Sequence, residues 1–156
     1  MKIRVLSRAF FEKVKGTPTE AELLAKSKII SINSSWGFDD TPPFSEDLLN
    51  HPHLLTLTFD DICNEPETLE DLGNAILFNE DMAHAIMRFV DDGKISLLVH
   101  CTAGISRSGA VGEVLNWYFN RYLESNTADD EDFVQNNRQI MPNTIVRRIM
   151  LKVLAE

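Results

Sequence analysis

An apolar run in the second half of the chain, ISLLV at residues 95–99, has no polar face. Such a run is typical of a strand in the middle of a sheet, where neighbouring layers cover both of its sides. The segment after it carries apolar residues at the spacing of a helix that packs one stripe against a sheet. This stripe consists of Val111, Val114, Leu115, Tyr118, Phe119 and Tyr122. A buried strand followed by such a helix predicts an α/β domain.

The rest of the chain continues the alternation of strand-like and helix-like segments. The strand-like segments are KIRVL (2–6), KIISIN (28–33) and the alternating LLTLTF (54–59). Helical patterns occupy residues 17–26, after a Thr-Pro-Thr start signal, and the stripe from Met82 to Val90. We therefore predict one domain over residues 1–156, with a central, mostly parallel sheet of four or five strands flanked by helices. A chain of 156 residues that is 44% hydrophobic can bury such a core.

The charge balance restricts the classes of partner. The net charge is −9, so the basic footprint of a nucleic-acid or anionic-membrane binder is missing. No run reaches the ~18 apolar residues of a membrane span, and Arg8 interrupts the apolar stretch near the N-terminus that a secretory signal would need. We expect a cytoplasmic monomer that binds neither nucleic acid nor membrane. Two cysteines, Cys63 and Cys101, are too few for a disulfide framework.

The segment HCTAGISRSG (100–109) lies where the apolar strand ends and the next helix begins. A strand-to-helix turn of this kind concentrates unpaired backbone N–H groups, and the helix dipole adds positive potential there. Arg107 adds a planar set of donors that can bind two phosphate oxygens. A thiolate at Cys101 is stabilised by the same surroundings. The segment therefore predicts a pocket that binds a dianionic phosphoryl group and presents a sulfur nucleophile to its phosphorus.

These residues resemble the His-Cys-x5-Arg-Ser/Thr signature of the cysteine-dependent protein tyrosine phosphatases, and AGISRS is most similar to the dual-specificity branch. The resemblance implies a phosphatase-type loop between a central strand and a helix. It also implies that Cys101 is the nucleophile, that Arg107 binds phosphate and that Ser108 assists thiolate departure. The phosphate-binding loop would then contain Thr102, Ala103, Gly104, Ile105, Ser106 and Arg107. No metal or cofactor is expected.

Phosphoester cleavage also requires a general acid, and the family usually takes it from a loop after an earlier strand. FDD at residues 59–61 lies in the matching place, and Asp61 fits the family pattern better than Asp60, which stays open as the alternative acid. A strand-terminating turn is a further interpretation of the pair. His100 either supports the loop or tunes the thiolate through hydrogen bonds. Cys63 is either an ordinary loop thiol or a partner that traps oxidised Cys101 as a disulfide.

A long loop, residues 34–53, precedes the LLTLTF strand. Its apolar residues either anchor the loop to the core or line the mouth of the cleft; they are Trp36, Phe38, Pro42, Pro43 and Phe44. His51, His53 and His84 lack the partners of a metal site. Near the C-terminus, Asn143 is predicted to cap the last helix, and no catalytic role is assigned to it.

The uncharged side chains of the predicted loop favour a phosphorylated protein or peptide as substrate. Phosphoinositide-directed relatives tend to carry lysines in this loop, and RNA 5′-triphosphatases are expected to need a basic surface. We therefore predict a protein tyrosine or dual-specificity phosphatase. Alternatives are a phosphatase acting on phosphoinositides or RNA 5′ ends, a catalytically weak pseudophosphatase that docks phosphate, and an arsenate reductase or sulfurtransferase.

Overall fold

Four parallel strands form the sheet in the computed structural model, which describes residues 1–37, 41–91 and 95–156. The strands are β1 (Ile3–Ser7), β2 (Ser27–Asn33), β3 (Leu54–Thr58) and β4 (Ser96–Cys101). Their spatial order is β1-β4-β2-β3, so β4 has a neighbour on each side. The predicted α/β class and the central position of the ISLLV run are both confirmed.

Seven α-helices surround this sheet within the described ranges. They are α1 (Arg8–Val14), α2 (Pro18–Lys26), α3 (Leu69–Leu72), α4 (Glu80–Val90), α5 (Arg107–Asn116), α6 (Thr127–Asn136) and α7 (Thr144–Leu154). A 3₁₀ turn covers Glu46–Leu48, and α5 continues as a π-helical segment over Trp117–Leu123. Across the described part of the chain, no helix is both long and apolar enough to cross a membrane.

Strand β2 buries side chains on both of its faces. Ile30 and Ile32 of β2 belong to a large apolar cluster with residues of α4, α5, α6 and α7, whereas Ile29 belongs to a smaller cluster with Phe11 and Leu24 of α1 and α2. Successive strand side chains point to opposite faces, which explains this division. Helices therefore pack on both sides of the sheet, the arrangement that parallel strands require.

The carboxyl ends of the four strands lie along one edge of the sheet. Ser7 of β1 is in register with Cys101 of β4, and Asn33 of β2 is in register with Thr58 of β3. Ligands of open α/β sheets bind at this edge, at the point where strand order reverses. The predicted nucleophile and both candidate acids therefore lie at the edge where a ligand site is expected.

The outer edge of β1 is completed by side chains instead of a fifth strand. Asn137, which is buried, accepts a hydrogen bond from the Val5 N–H (2.7 Å) and donates one to the Ile3 carbonyl (3.1 Å). Gln139 donates to the Val5 carbonyl at 3.0 Å. These amides replace the partners that a neighbouring strand would supply, and they satisfy buried backbone groups.

We expect Asn137→Ala to lower the free energy of unfolding by about 1–3 kcal/mol, because it leaves the buried Val5 N–H without this partner, whereas the Ile3 carbonyl still accepts from Arg4 Nη1 at 3.3 Å. Urea denaturation measures this loss. Asn136→Ala is the matched control, since Asn136 is exposed and bonds only within α6, to Asp132. Equal stability of the two variants would show that the edge of β1 does not depend on this amide.

Candidate active site

The segment Cys101–Arg107 forms a loop between the end of β4 and the start of α5. Four of its carbonyl groups accept hydrogen bonds from outside the loop. Three donors are backbone N–H groups: that of Arg8 donates to the Thr102 carbonyl (3.1 Å), that of Met141 to the Ile105 carbonyl (2.9 Å) and that of Asn143 to the Ser106 carbonyl (3.0 Å). The fourth is the side-chain amide of Gln139, which donates to the Gly104 carbonyl (3.3 Å). The N–H of a planar trans peptide points away from its carbonyl. The N–H groups that follow these carbonyls are therefore directed into the loop, the arrangement that binds anions.

Gly104 allows this loop to close against the end of β1. Its φ angle is +73°, in the region that side chains disfavour. A Cβ atom at this position would lie 2.6 Å from the carbonyl carbon and oxygen of Leu6. The loop cannot adopt this path with any residue other than glycine at position 104.

Cys101 is buried at the base of the loop, with 2% of its surface exposed. Its Sγ lies 3.0 Å from the Ser108 Oγ. Burial raises the pKa of the thiol, but hydrogen bonds from the Ser108 hydroxyl and from the backbone N–H groups of Ser108 and Ile105 outweigh it. The positive charge of Arg107 acts in the same direction, so the net pKa is lowered. A larger fraction of this thiol is therefore ionised at a given pH than in a free cysteine, and the thiolate is the nucleophilic form.

This geometry predicts the pH dependence of alkylation in a Cys63→Ser background, where Cys101 is the single thiol. Because the pKa is lowered, the rate with iodoacetamide should rise with a midpoint below the ~8.5 of a free thiol. Ser108→Ala removes a hydrogen bond to a charged atom, about 1.5–3 kcal/mol, and should move the midpoint upward by roughly 1–2 pH units. An unchanged midpoint would mean that Ser108 does not stabilise the thiolate.

Arg107 is almost completely buried and is held at one end of its guanidinium group. Nη1 donates to the Ser34 hydroxyl (3.0 Å) and to the Phe59 carbonyl (2.9 Å), and Nη2 donates to the Thr102 hydroxyl (3.0 Å). Its Nε is buried and has no hydrogen-bond partner among the described residues. A buried, unpaired N–H of a cation is costly unless a ligand accepts from it.

His100 is fully buried behind the loop. Its Nδ1 donates to the Cys101 carbonyl at 3.1 Å, and its Nε2 lies 2.6 Å from the Ser31 hydroxyl. In the neutral imidazole, Nε2 then accepts from that hydroxyl. The ring also packs against Phe11 and Phe44, with centroids 5.0 and 6.0 Å away. These contacts favour the loop-support interpretation of His100.

The two adjacent aspartates have different surroundings. Asp60 is buried, and its carboxylate accepts from the Ser35 N–H (2.9 Å), the Ser35 hydroxyl (2.6 Å) and the Ile76 N–H (2.7 Å). Burial raises the pKa of Asp60, but these hydrogen bonds and the charge of Arg107 together lower it by more than burial raises it, so the net shift of the pKa is downward. A carboxyl group that stays ionised is a poor proton donor. The contacts of Asp60 therefore favour a structural role.

Asp61 is exposed and lies beside the Cys101–Arg107 loop. Its Oδ1 accepts from the Ser106 hydroxyl (2.8 Å) and from the Asn143 side-chain amide (2.8 Å). The sequence places Asp61 and Ser106 45 positions apart, yet the fold brings them into direct contact. Asp61 is therefore the aspartate of the pair that lies at the mouth of the loop.

Two residues in this network were not predicted as part of the site. Ser34 follows β2 and contacts Arg107, and Asn143 contacts Asp61. Asn143 does cap α7 as predicted, because its Oδ1 accepts from the Val146 N–H at 3.0 Å. No spacing in the sequence indicates these contacts, since 73 and 82 positions separate the paired residues.

The remaining candidates lie around the site in different ways. Phe44 is buried against Phe11, with ring centroids 5.2 Å apart, and anchors the long loop, whereas Trp36 is 73% exposed. Phe38 lies outside the described residues.

Cys63 is exposed, and its Sγ is 3.6 Å from the Asn143 amide. In the described ranges, no group of three or more potential ligand side chains forms a metal site.

The fold is similar to that of several solved phosphatase structures. PTPMT1 in complex with PI(5)P matches with a TM-score of 0.51 and 11% identity, over 99% of this chain and 93% of that chain. Human DUSP28 has a TM-score of 0.49 and 16% identity, over 98% and 94%. Tk-PTP in its active form has a TM-score of 0.49 and 13% identity, over 100% and 93%. No family model and no curated protein sequence matches the chain. The match to PTPMT1, the one of these three with a TM-score above 0.5, shows that the chain has a fold similar to that of PTPMT1.

Proposed function

We propose that this protein is a cysteine-dependent phosphomonoester hydrolase that acts on phosphotyrosine, and also on phosphoserine and phosphothreonine, in proteins or peptides. The buried, unpaired Nε of Arg107 is the observation that carries the proposal. It lies in a loop whose N–H groups point inward and whose thiol has a lowered pKa. A phosphoryl dianion accepts from all of these donors and places phosphorus next to the sulfur.

In the first step, the Cys101 thiolate attacks phosphorus and an S–P bond forms. The P–O bond to the leaving group breaks on the opposite side, and Asp61 donates its proton to the departing oxygen. Arg107 and the loop N–H groups hold the three phosphoryl oxygens, whose charge is redistributed in the transition state. The alcohol or phenol leaves, and a phosphocysteine remains.

In the second step, water attacks phosphorus while the Asp61 carboxylate removes a proton from it. The S–P bond breaks, and the Ser108 hydroxyl donates a hydrogen bond to the departing thiolate, consistent with the 3.0 Å separation of Oγ and Sγ. Inorganic phosphate is released and the thiolate is restored. Because the cycle requires reduced Cys101, we propose that the protein acts in the cytoplasm.

The choice of a protein substrate depends on the charge of the loop. Thr102, Ala103, Ile105 and Ser106 are uncharged, so Arg107 is the single cation among residues 101–107. The PTPMT1 structure contains PI(5)P, a ligand with a phosphoinositide headgroup, but this loop offers no lysine for additional phosphates. The net charge of −9 also disfavours RNA as a substrate.

Phosphate release from a phosphotyrosine peptide, from PI(5)P and from triphosphate-ended RNA tests this proposal, with Cys101→Ser as the blank. We expect hydrolysis of the phosphopeptide that vanadate inhibits and that needs no added thiol partner. Faster release from the lipid or the RNA would reassign the substrate. Equal, negligible release by the wild type and Cys101→Ser would favour a phosphate-docking protein, and activity that requires a thiol partner would favour an arsenate reductase.

A further inference from the structure

Asn143 joins three parts of the molecule at the edge of the site. It is 1% exposed and immediately precedes α7. Its backbone N–H donates to the Ser106 carbonyl at 3.0 Å, and its Oδ1 accepts from the Val146 N–H at 3.0 Å. Its Nδ2 donates to the Asp61 carboxylate at 2.8 Å and to the Ile62 carbonyl at 3.1 Å. One residue therefore links the phosphate-binding loop through its backbone, and helix α7 and the loop that carries Asp61 through its side chain.

We propose that Asn143 is a positioning residue that holds Asp61 in register with the phosphate-binding loop and determines which oxygen of Asp61 carries the proton. The proposal rests on the proposed function, because it concerns the general acid of that reaction. A side-chain amide nitrogen is a donor and never an acceptor. The Asp61 Oδ1 that faces this nitrogen must therefore accept, and the transferable proton of the acid form is directed to Oδ2.

Ser106 reinforces this assignment. Its hydroxyl also donates to Asp61 Oδ1, at 2.8 Å, so the same oxygen accepts two hydrogen bonds. The backbone of Ser106 is in turn held by the Asn143 N–H. The distance between the acid and the phosphate-binding loop is thus set by a closed ring of three residues. A displacement of about 1 Å in such an arrangement can cost a large factor in rate.

The capping role of Asn143 can be separated from its contact with Asp61. Capping uses Oδ1 as an acceptor, and serine and aspartate cap a helix about as well as asparagine. Asn143→Ser keeps an acceptor for the cap and removes the donor to Asp61. Asn143→Asp keeps the cap, removes the donor to Asp61 and places a like charge against its carboxylate.

The test compares kcat/KM for phenyl phosphate, whose leaving group needs a proton, with that for 4-nitrophenyl phosphate, whose leaving group departs readily without one. We expect Asn143→Ser to lower the value for phenyl phosphate about 10–100-fold, part of the ~10²–10⁴ that general acid catalysis supplies. The value for 4-nitrophenyl phosphate should fall less than about threefold. Asn143→Asp, which has no donor and repels Asp61, should lower the value for phenyl phosphate by a similar or larger factor, again with a much smaller effect on 4-nitrophenyl phosphate.

Thr144→Val is the matched control, because Thr144 holds the same loop through the Cys63 carbonyl (2.8 Å) without touching Asp61. It should leave the ratio of the two substrates unchanged. Equal losses on the two substrates in Asn143→Ser or in Asn143→Asp would overturn the positioning role while Cys101-dependent hydrolysis persists. A wild type that hydrolyses neither substrate would instead refute the proposed function, and the positioning role with it.

Discussion

Arg107→Lys should lower kcat/KM for a phosphotyrosine peptide roughly 10³-fold, within the range that arginines aimed at a transferring phosphoryl group supply. A planar guanidinium can bind two phosphate oxygens along one edge, while Nη1 of Arg107 remains bonded to Ser34 and to the Phe59 carbonyl. A lysine ammonium is a point charge on a flexible stem, and it cannot make both sets of contacts. Steady-state kinetics with the peptide measures the effect.

Arg138→Lys is the control for this prediction, since it makes the same change at an exposed arginine on the chain that follows α6. It should leave the rate unchanged. Thermal melting should show that both variants are folded. A folded Arg107→Lys variant with close to wild-type activity would show that the phosphoryl group does not bind along the edge of Arg107 that carries Nε.

Asp61→Asn should lower kcat/KM for phenyl phosphate about 10²–10⁴-fold, the usual contribution of a general acid. The loss should be much smaller for 4-nitrophenyl phosphate, because that leaving group does not depend on protonation. Parallel kinetics on the two substrates supplies the measurement, and equal losses on both would contradict the role of Asp61 as the acid.

Asp60→Asn separates the two adjacent carboxylates. Asp60 accepts from Ser35 and Ile76 in a buried position, and its lowered pKa keeps it ionised. The variant should therefore lose about 2 kcal/mol of stability and change the two substrates by similar factors. A larger and substrate-selective loss for Asp60→Asn than for Asp61→Asn would exchange the roles assigned to the pair.

The sequence predicts those elements of the fold whose apolar pattern reflects their burial. β4 is covered on both faces, and ISLLV shows this directly; α4 and α7 carry full apolar stripes. In contrast, α6 buries one side chain, Phe133, so its sequence shows no apolar stripe. Acidic residues occupy the first turn of α6, where the helix dipole stabilises them. The short helices α1 and α3 were missed for the same reason, since each buries too few residues to show a period.

The candidate site was predictable where it is continuous along the chain. The pattern from His100 to Ser108 lies between one strand and one helix, so its loop and its anion-binding character follow from local sequence. The contacts of Ser34 and Asn143 were not predictable, because they arise from the meeting of strand ends and of the α7 N-terminus in three dimensions. The sequence also left Asp60 open as an alternative acid to Asp61, because the two residues are adjacent in the chain. Their difference in burial arises only in the folded structure.

The most direct test of the account is to trap the covalent intermediate on Cys101. Wild type and Ser108→Ala are mixed with phosphotyrosine peptide, quenched in denaturant within the first turnovers, and digested with trypsin, which releases residues 95–107 with Cys101 as their single thiol. Mass spectrometry should find one added phosphoryl group on Cys101, more abundant in Ser108→Ala and absent from Cys101→Ser. Turnover of the peptide without any phosphocysteine in Ser108→Ala, or with undiminished rate in Cys101→Ser, would contradict the account.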